Sequence, residues 1–141
     1  MTPEAKEELR KIFKDNGLSK DDIFSRKLKD KYGNEKEFVI ITRPGIEKIE
    51  VNNNIRIEVE ATHVEKELCV VKCYATMGDR TIETFSSATP QNCQTPYLME
   101  MAEKRARARG VLKLMKLYAH GVFSEDESPE FERNNPDNTI K

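Results

Sequence analysis

Two runs between Ile55 and Met77 place apolar residues at every second position, a pattern that suits a sheet with one covered face. Ile55, Ile57, Val59 and Ala61 alternate with Arg56, Glu58, Glu60 and Thr62, the period of a half-buried strand. A second strand is expected through residues 68–77, LCVVKCYATM, with Cys69, Val71, Cys73 and Ala75 as its core face. Val70, Lys72, Tyr74 and Thr76 take the other face. Gly78-Asp79 fits a two-residue hairpin turn, and Arg80–Ser87 returns as a third strand, with Ile82 and Thr84 opposite in facing to Glu83 and Phe85.

The cover for this meander is the stretch Thr95–Gly121, TPYLMEMAEKRARARGVLKLMKLYAHG. Thr95 is the expected N-cap and Pro96 the first helical residue, where its missing N–H costs nothing; Gly121 is the expected stop. Strong helix formers fill the interval, with Gly110 the one soft spot. Tyr97, Met101, Ala108, Leu112, Met115 and Ala119 share one face, expected to seek the core. Arg105, Arg109, Lys113 and Lys116 follow along its flank without an acid among them. Such a row is either a solvated edge whose stems lie over apolar surface or a track for a polyanion.

Upstream, residues 3–15 read as a short amphipathic helix with Leu9, Ile12 and Phe13 inward, closed by Asn16-Gly17. Ser19 is suited to cap a second short turn. The almost wholly charged run SRKLKDKYGNEKE reads as a connection, and Phe38–Thr42 as a short buried strand stopped by Pro44-Gly45. GIEKIEVNNN reads either as a helical turn with Ile46 and Ile49 inward, which is favoured, or as a short strand with a polar Asn52-Asn53-Asn54 turn. The expected fold is α+β: an antiparallel three- to four-stranded β-meander packed by a long C-terminal α-helix, a β-β-β-α core, with short N-terminal helices. Residues 1–36 would form the helical segment and charged connection, and 37–121 the meander and long helix. Residues 122–141 would be an acidic tail without structure of its own, apart from Val122-Phe123 docking back.

The whole chain carries a net charge of −1, but unevenly. Its last twenty residues hold six acids against Arg133 and Lys141, a net of −4, leaving the body at +3. A mildly basic body is compatible with nucleic acid, and the tail could compete for the basic track. No apolar run reaches the ~20 residues of a membrane span, and MTPEAKEELRK lacks the apolar stretch of a signal peptide. A cytoplasmic location, with no membrane partner, is expected.

Catalytic chemistry has no visible home. Cys69, Cys73 and Cys93 are in no metal spacing, and His63 and His120 form no arrangement with a nucleophile. The isolated glycines belong to no phosphate-binding loop. Glu58, Glu60 and Glu83 share a sheet face and allow a metal-dependent nuclease as a third reading, but solvated glutamates are ordinary there. No enzyme, metal or cofactor is therefore expected. Binding remains: Lys72 and Tyr74 on one strand, with Arg80 and Phe85 nearby on the next, combine charge for a backbone with rings for bases.

Three segments add a resemblance. ITRPGIEKIEVNNNIRIEVEAT, ATMGDRTIETFSSATPQNC and the helix MAEKRARARGVLKL followed by GVFSEDE look like small proteins of bacteriophages and mobile elements. The helix, through Ala102, Lys104, Arg105 and Ala106, resembles the A-x-x-[KR]-R-A signature of phage-type single-strand annealing recombinases, the superfamily of the Redβ and ERF groups. That resemblance implies a β-β-β-α core with a groove for single-stranded DNA, worked by a ring or helical oligomer in a bacterial host. It also implies Lys104, Arg105, Arg109 and Lys113 as backbone contacts. The expectation is a single-stranded nucleic-acid-binding protein, DNA rather than RNA, supporting strand annealing or recombination as a homo-oligomer. Lys116, Lys72 and Tyr74 would add contacts. The alternative is a protein-interaction module of similar origin.

Overall fold

The computed structural model describes residues 3–93 and 96–127. Helix α1 (Pro3–Asp15) turns Leu9, Ile12 and Phe13 inward and ends at Gly17, whose φ of 72° suits glycine. Ser19 then caps a single 3₁₀ turn: its hydroxyl accepts from Asp21 N while Asp22 accepts from Ser19 N at 2.9 Å. Burial opposes ionisation of Asp22, but the Lys48 ammonium at 2.6 Å and the Ser19 donors hold its carboxyl below the usual value.

The charged run after Ile23 is a hairpin, not a connection. Strand β1 (Ile23–Lys29) pairs antiparallel with β2 (Glu35–Ile41). Asp30 shapes the turn by accepting from Tyr32 N at 2.8 Å and Asn34 N at 2.9 Å. Charge obscured the strand because its outer half lies in water and needs no apolar side chain. Thr42 accepts from Gly45 N and starts α2 (Arg43–Asn52), which buries Ile46 and Ile49 as expected.

Strands β3 (Arg56–Val64), β4 (Cys69–Met77) and β5 (Arg80–Ala88) form the expected antiparallel meander in the order β3-β4-β5. Cys69, Val71, Cys73 and Ala75 are its buried row. The strand through Phe38–Thr42 does not join this sheet. It belongs to β2, in a second sheet ordered β1-β2-β6, where β6 (Val122–Ser124) lies parallel to β2. Asp126, accepting from Arg43 at 2.9 and 3.2 Å, fastens β6 to the start of α2. Residues 122–127 are thus part of the fold, and the expectation for 128–141 lies outside the described residues.

Helix α3 (Leu98–Leu114) is shorter than expected at both ends. Tyr97, not Thr95, is its N-cap, and Thr95 lies outside the described residues. At the other end Lys116 takes a left-handed φ of 58°. Lys116 N then donates to Lys113 O at 3.2 Å and Leu117 N to Leu112 O at 3.0 Å, a Schellman ending sealed by buried Leu117. A lysine in the place usually held by glycine hid this stop.

The helix is also buried on more than one side. Ala102, Ala106, Ala108, Val111, Leu112 and Leu114 are buried, whereas Tyr97 is 67% exposed and Ala119 lies in solvent. Gly110 is no soft spot: a Cβ there would lie 3.0 Å from Ala75 Cβ and 3.3 Å from Cys73 Sγ. It lets α3 lie directly on β4.

Candidate functional site

Close contact between α3 and the meander decides what each cation of the helix can do. Thr84 on β5 donates to Ala106 O at 2.8 Å, fixing the helix beside that strand. Arg105 is consequently 3% exposed and turns inward. Its guanidinium donates to Asp126 O at 2.7 Å, Ser87 O at 3.3 Å and Asn92 Oδ1 at 2.9 Å, and also to Asn92 O. Arg105 ties α3 to the β5 edge, the following loop and the segment after β6; it cannot meet a phosphate. The expectation that it does is corrected here: periodicity placed it on a flank that the tertiary packing buries.

Arg109, one turn on, donates to Phe85 O at 2.6 Å, and its Nε lies 3.6 Å from Glu127 Oε1. Arg80 returns the connection by donating to Leu114 O at 3.2 Å. Lys104 faces the opposite flank, half-buried beside a hollow of about 280 Å³ in which Glu47, Glu50, Glu100, Glu103 and Asp126 outnumber Lys104, Arg43 and Arg107. Burial pushes the Glu50 carboxyl up there, against the attraction of Arg107 at 3.7 Å. So many acids oppose a polyanion, and Lys104 leaves the expected track as well.

What remains converges on one groove. Between β5 and the end of α3 lies a cavity of about 640 Å³ walled by Phe85, Arg109, Lys113, Lys116, Tyr118 and Glu127. Lys113 is exposed on the last helical turn, and the left-handed backbone at Lys116 carries its exposed side chain to the same wall. Phe85 is 51% exposed.

Phe85 also joins this groove to the outer face of the meander. It stands opposite Lys72 in the β4–β5 register, and the Lys72 ammonium lies 5.5 Å from its ring centroid and 4.8 Å from that of Tyr74. The Tyr74 hydroxyl, and Glu83 at 3.5 Å, hold the Lys72 ammonium above its ordinary pKa. Lys72, Tyr74, Arg109, Lys113 and Lys116 are therefore brought to one continuous surface. The sequence signal for Phe85 was its outward place in the strand alternation; Tyr118 and Glu127 gave none.

Glu83 and Glu127, the acids on the groove wall, temper its charge. Glu127 accepts from Ser124 N at 2.7 Å and from the Tyr118 hydroxyl. Burial nevertheless raises its carboxyl above the ordinary 4.5, and burial likewise raises the Tyr118 phenol. Glu58 and Glu83 stand on either side of Tyr74, and Glu60 opposite Lys72. Among the described residues no three His, Cys, Asp or Glu side chains gather closely enough to hold a metal ion, so the three glutamates do not form the centre a nuclease would need.

Cys69, Cys73 and Cys93 are buried free thiols, and burial raises that of Cys73. No helix among the described residues is long and apolar enough to cross a membrane. No protein-family model matches the chain, and no curated protein or solved structure matches it either.

Proposed function

We propose that this chain is a non-enzymatic protein that binds single-stranded nucleic acid, DNA rather than RNA, in the groove between β5 and the end of α3, in support of strand annealing or recombination. One observation carries the reading: the cations Arg109, Lys113 and Lys116 and the exposed ring of Phe85 wall one groove, continuous with Lys72 and Tyr74. Cations take phosphates without regard to sequence, while an exposed ring stacks a base for about 1–3 kcal/mol. Glu83 and Glu127 limit how many phosphates one copy neutralises, so tight binding uses several copies along a strand.

The test is fluorescence anisotropy with a labelled oligonucleotide of about thirty nucleotides, long enough for neighbouring copies. Binding is expected to weaken steeply from low to physiological salt and to exceed binding to duplex. Reversing Lys113 and Lys116 to Glu together should weaken it about tenfold or more at low salt and flatten its salt dependence. Both side chains are exposed, so the fold should survive. Absence of binding to single strand and duplex alike at low salt would overturn the reading.

A further inference from the structure

Helix α1 meets the second sheet along a face that is only half apolar. Lys6, Leu9, Arg10 and Phe13 recur at i, i+3, i+4 and i+7 and so lie on one side of the helix. Ile23 and Ser25 on β1 share a sheet face with Val39 on β2, which stands opposite Ser25 in the register. These two layers do not close on each other. Between them lies a hollow of about 430 Å³, to which Phe24, Lys20 and Glu37 also contribute. Small-molecule sites span roughly 300–1,000 Å³, so the hollow is of that size.

Burial sorts its walls by chemistry. Leu9 is 3% exposed, and Phe13, Ile23, Phe24 and Val39 are half-buried, which makes the inner lining apolar. Lys6, Arg10, Lys20, Ser25 and Glu37 are exposed and therefore stand at the mouth. Three cations there face one acid on the wall. Glu37 is also opposite Lys27 across the hairpin, and Arg10 makes an exposed contact with Glu7 at 3.4 Å. The balance at the mouth stays positive.

We propose that this hollow binds a small amphipathic anion, a single apolar chain ending in a carboxylate. The chain leaves water for Leu9, Phe13, Ile23 and Val39, and the carboxylate stays at the mouth among Lys6, Arg10 and Lys20. Charge complementarity selects this ligand. A neutral chain would leave the cations unused, and a cationic head would meet like charge. A helix that only covered a sheet would carry apolar residues along the whole of its inward stripe, whereas α1 places Lys6 and Arg10 beside Leu9 and Phe13. The site rests on α1 and the second sheet and not on the nucleic-acid reading, since Lys113 and Lys116 line a separate cavity.

The experiment is isothermal titration calorimetry of the full chain with decanoate, kept below the concentration at which it forms micelles. Decanol and decyltrimethylammonium serve as the neutral and cationic counterparts. Decanoate should bind about tenfold or more tighter than decanol, with decyltrimethylammonium the weakest of the three. K6E/R10E and K20E alter exposed side chains, and each is checked for native circular dichroism. Both should weaken decanoate binding, the double variant by about tenfold, and the double variant should come to prefer decyltrimethylammonium. K113E/K116E should leave decanoate binding unchanged. Absence of decanoate binding, equal binding of decanol, an affinity unmoved in both mouth variants, or loss of binding in K113E/K116E would each overturn the proposal.

Discussion

The two outer strands of the meander are finished in different ways. Along β5, guanidinium groups from α3 reach the edge carbonyls, and Arg80 reaches back to the end of the helix. Along β3 no such donor is seen among the described residues: only Ile57 is half-buried, and Val64 is 63% exposed. The closed edge belongs to the outer strand beside which the helix lies, where a planar fork with several donors can hold carbonyls and helix together. The other edge carries the exposed charges of Arg56, Glu58 and Glu60, which discourage a second strand from pairing there. A cation's use in this protein therefore depends on its distance from an unpaired carbonyl more than on its place in a periodic row.

The largest expected effect comes from opening the closed edge. Arg105→Ala leaves buried carbonyls and the Asn92 side chain without their donor and should cost about 3 kcal/mol or more. Thermal unfolding should show this as a Tm lower by roughly 10 °C. Arg105→Lys should recover little, because one ammonium cannot span the same acceptors. An unchanged Tm would show that the guanidinium does not hold the edge.

A smaller effect separates the helix ending from the groove. Lys116→Gly relieves a left-handed lysine and should stabilise the fold by about 0.5–1 kcal/mol in urea unfolding. The same change removes a groove cation, so affinity for single-stranded oligonucleotide should fall while stability rises. Parallel changes in the two would break the separation.

The smallest expected effect is a pH dependence. Because the Glu127 carboxyl is raised above 4.5, it takes its proton in the folded protein before the unfolded chain does. Its contribution to stability is then present in acid and lost as the pH rises through the folded pKa. Protonation also removes one negative charge from the groove. Oligonucleotide affinity at fixed salt should rise a few-fold as the pH falls from neutral toward that pKa. Glu127→Gln should bind more tightly at neutral pH and lose this part of the pH response, and an unaltered response would assign it to another group.

Local rules read much of this protein correctly, and their failures share a cause. The alternation of Cys69, Val71, Cys73 and Ala75 identified the buried row, and the Gly78-Asp79 turn and the Ser19 cap stood where residue chemistry put them. Strand β1 was missed because Lys27 and Lys29 need no core. The end of α3 was missed because Lys116 occupies a position where glycine is usual. Of the expected contact residues, Lys113 and Lys116 reach the groove wall, while Arg105 does not.

The sequence by itself determined the meander, its apolar face and the presence of a helix to cover it, since period and turn chemistry are properties of the local backbone. Only the tertiary structure decided that β1, β2 and β6, drawn from both ends of the described chain, make a second sheet. It alone also decided that Arg105 is consumed inside while Lys113 stays in solvent. Both outcomes depend on which backbone groups come within hydrogen-bonding reach once the helix lies on the sheet, and no spacing along the chain encodes that distance.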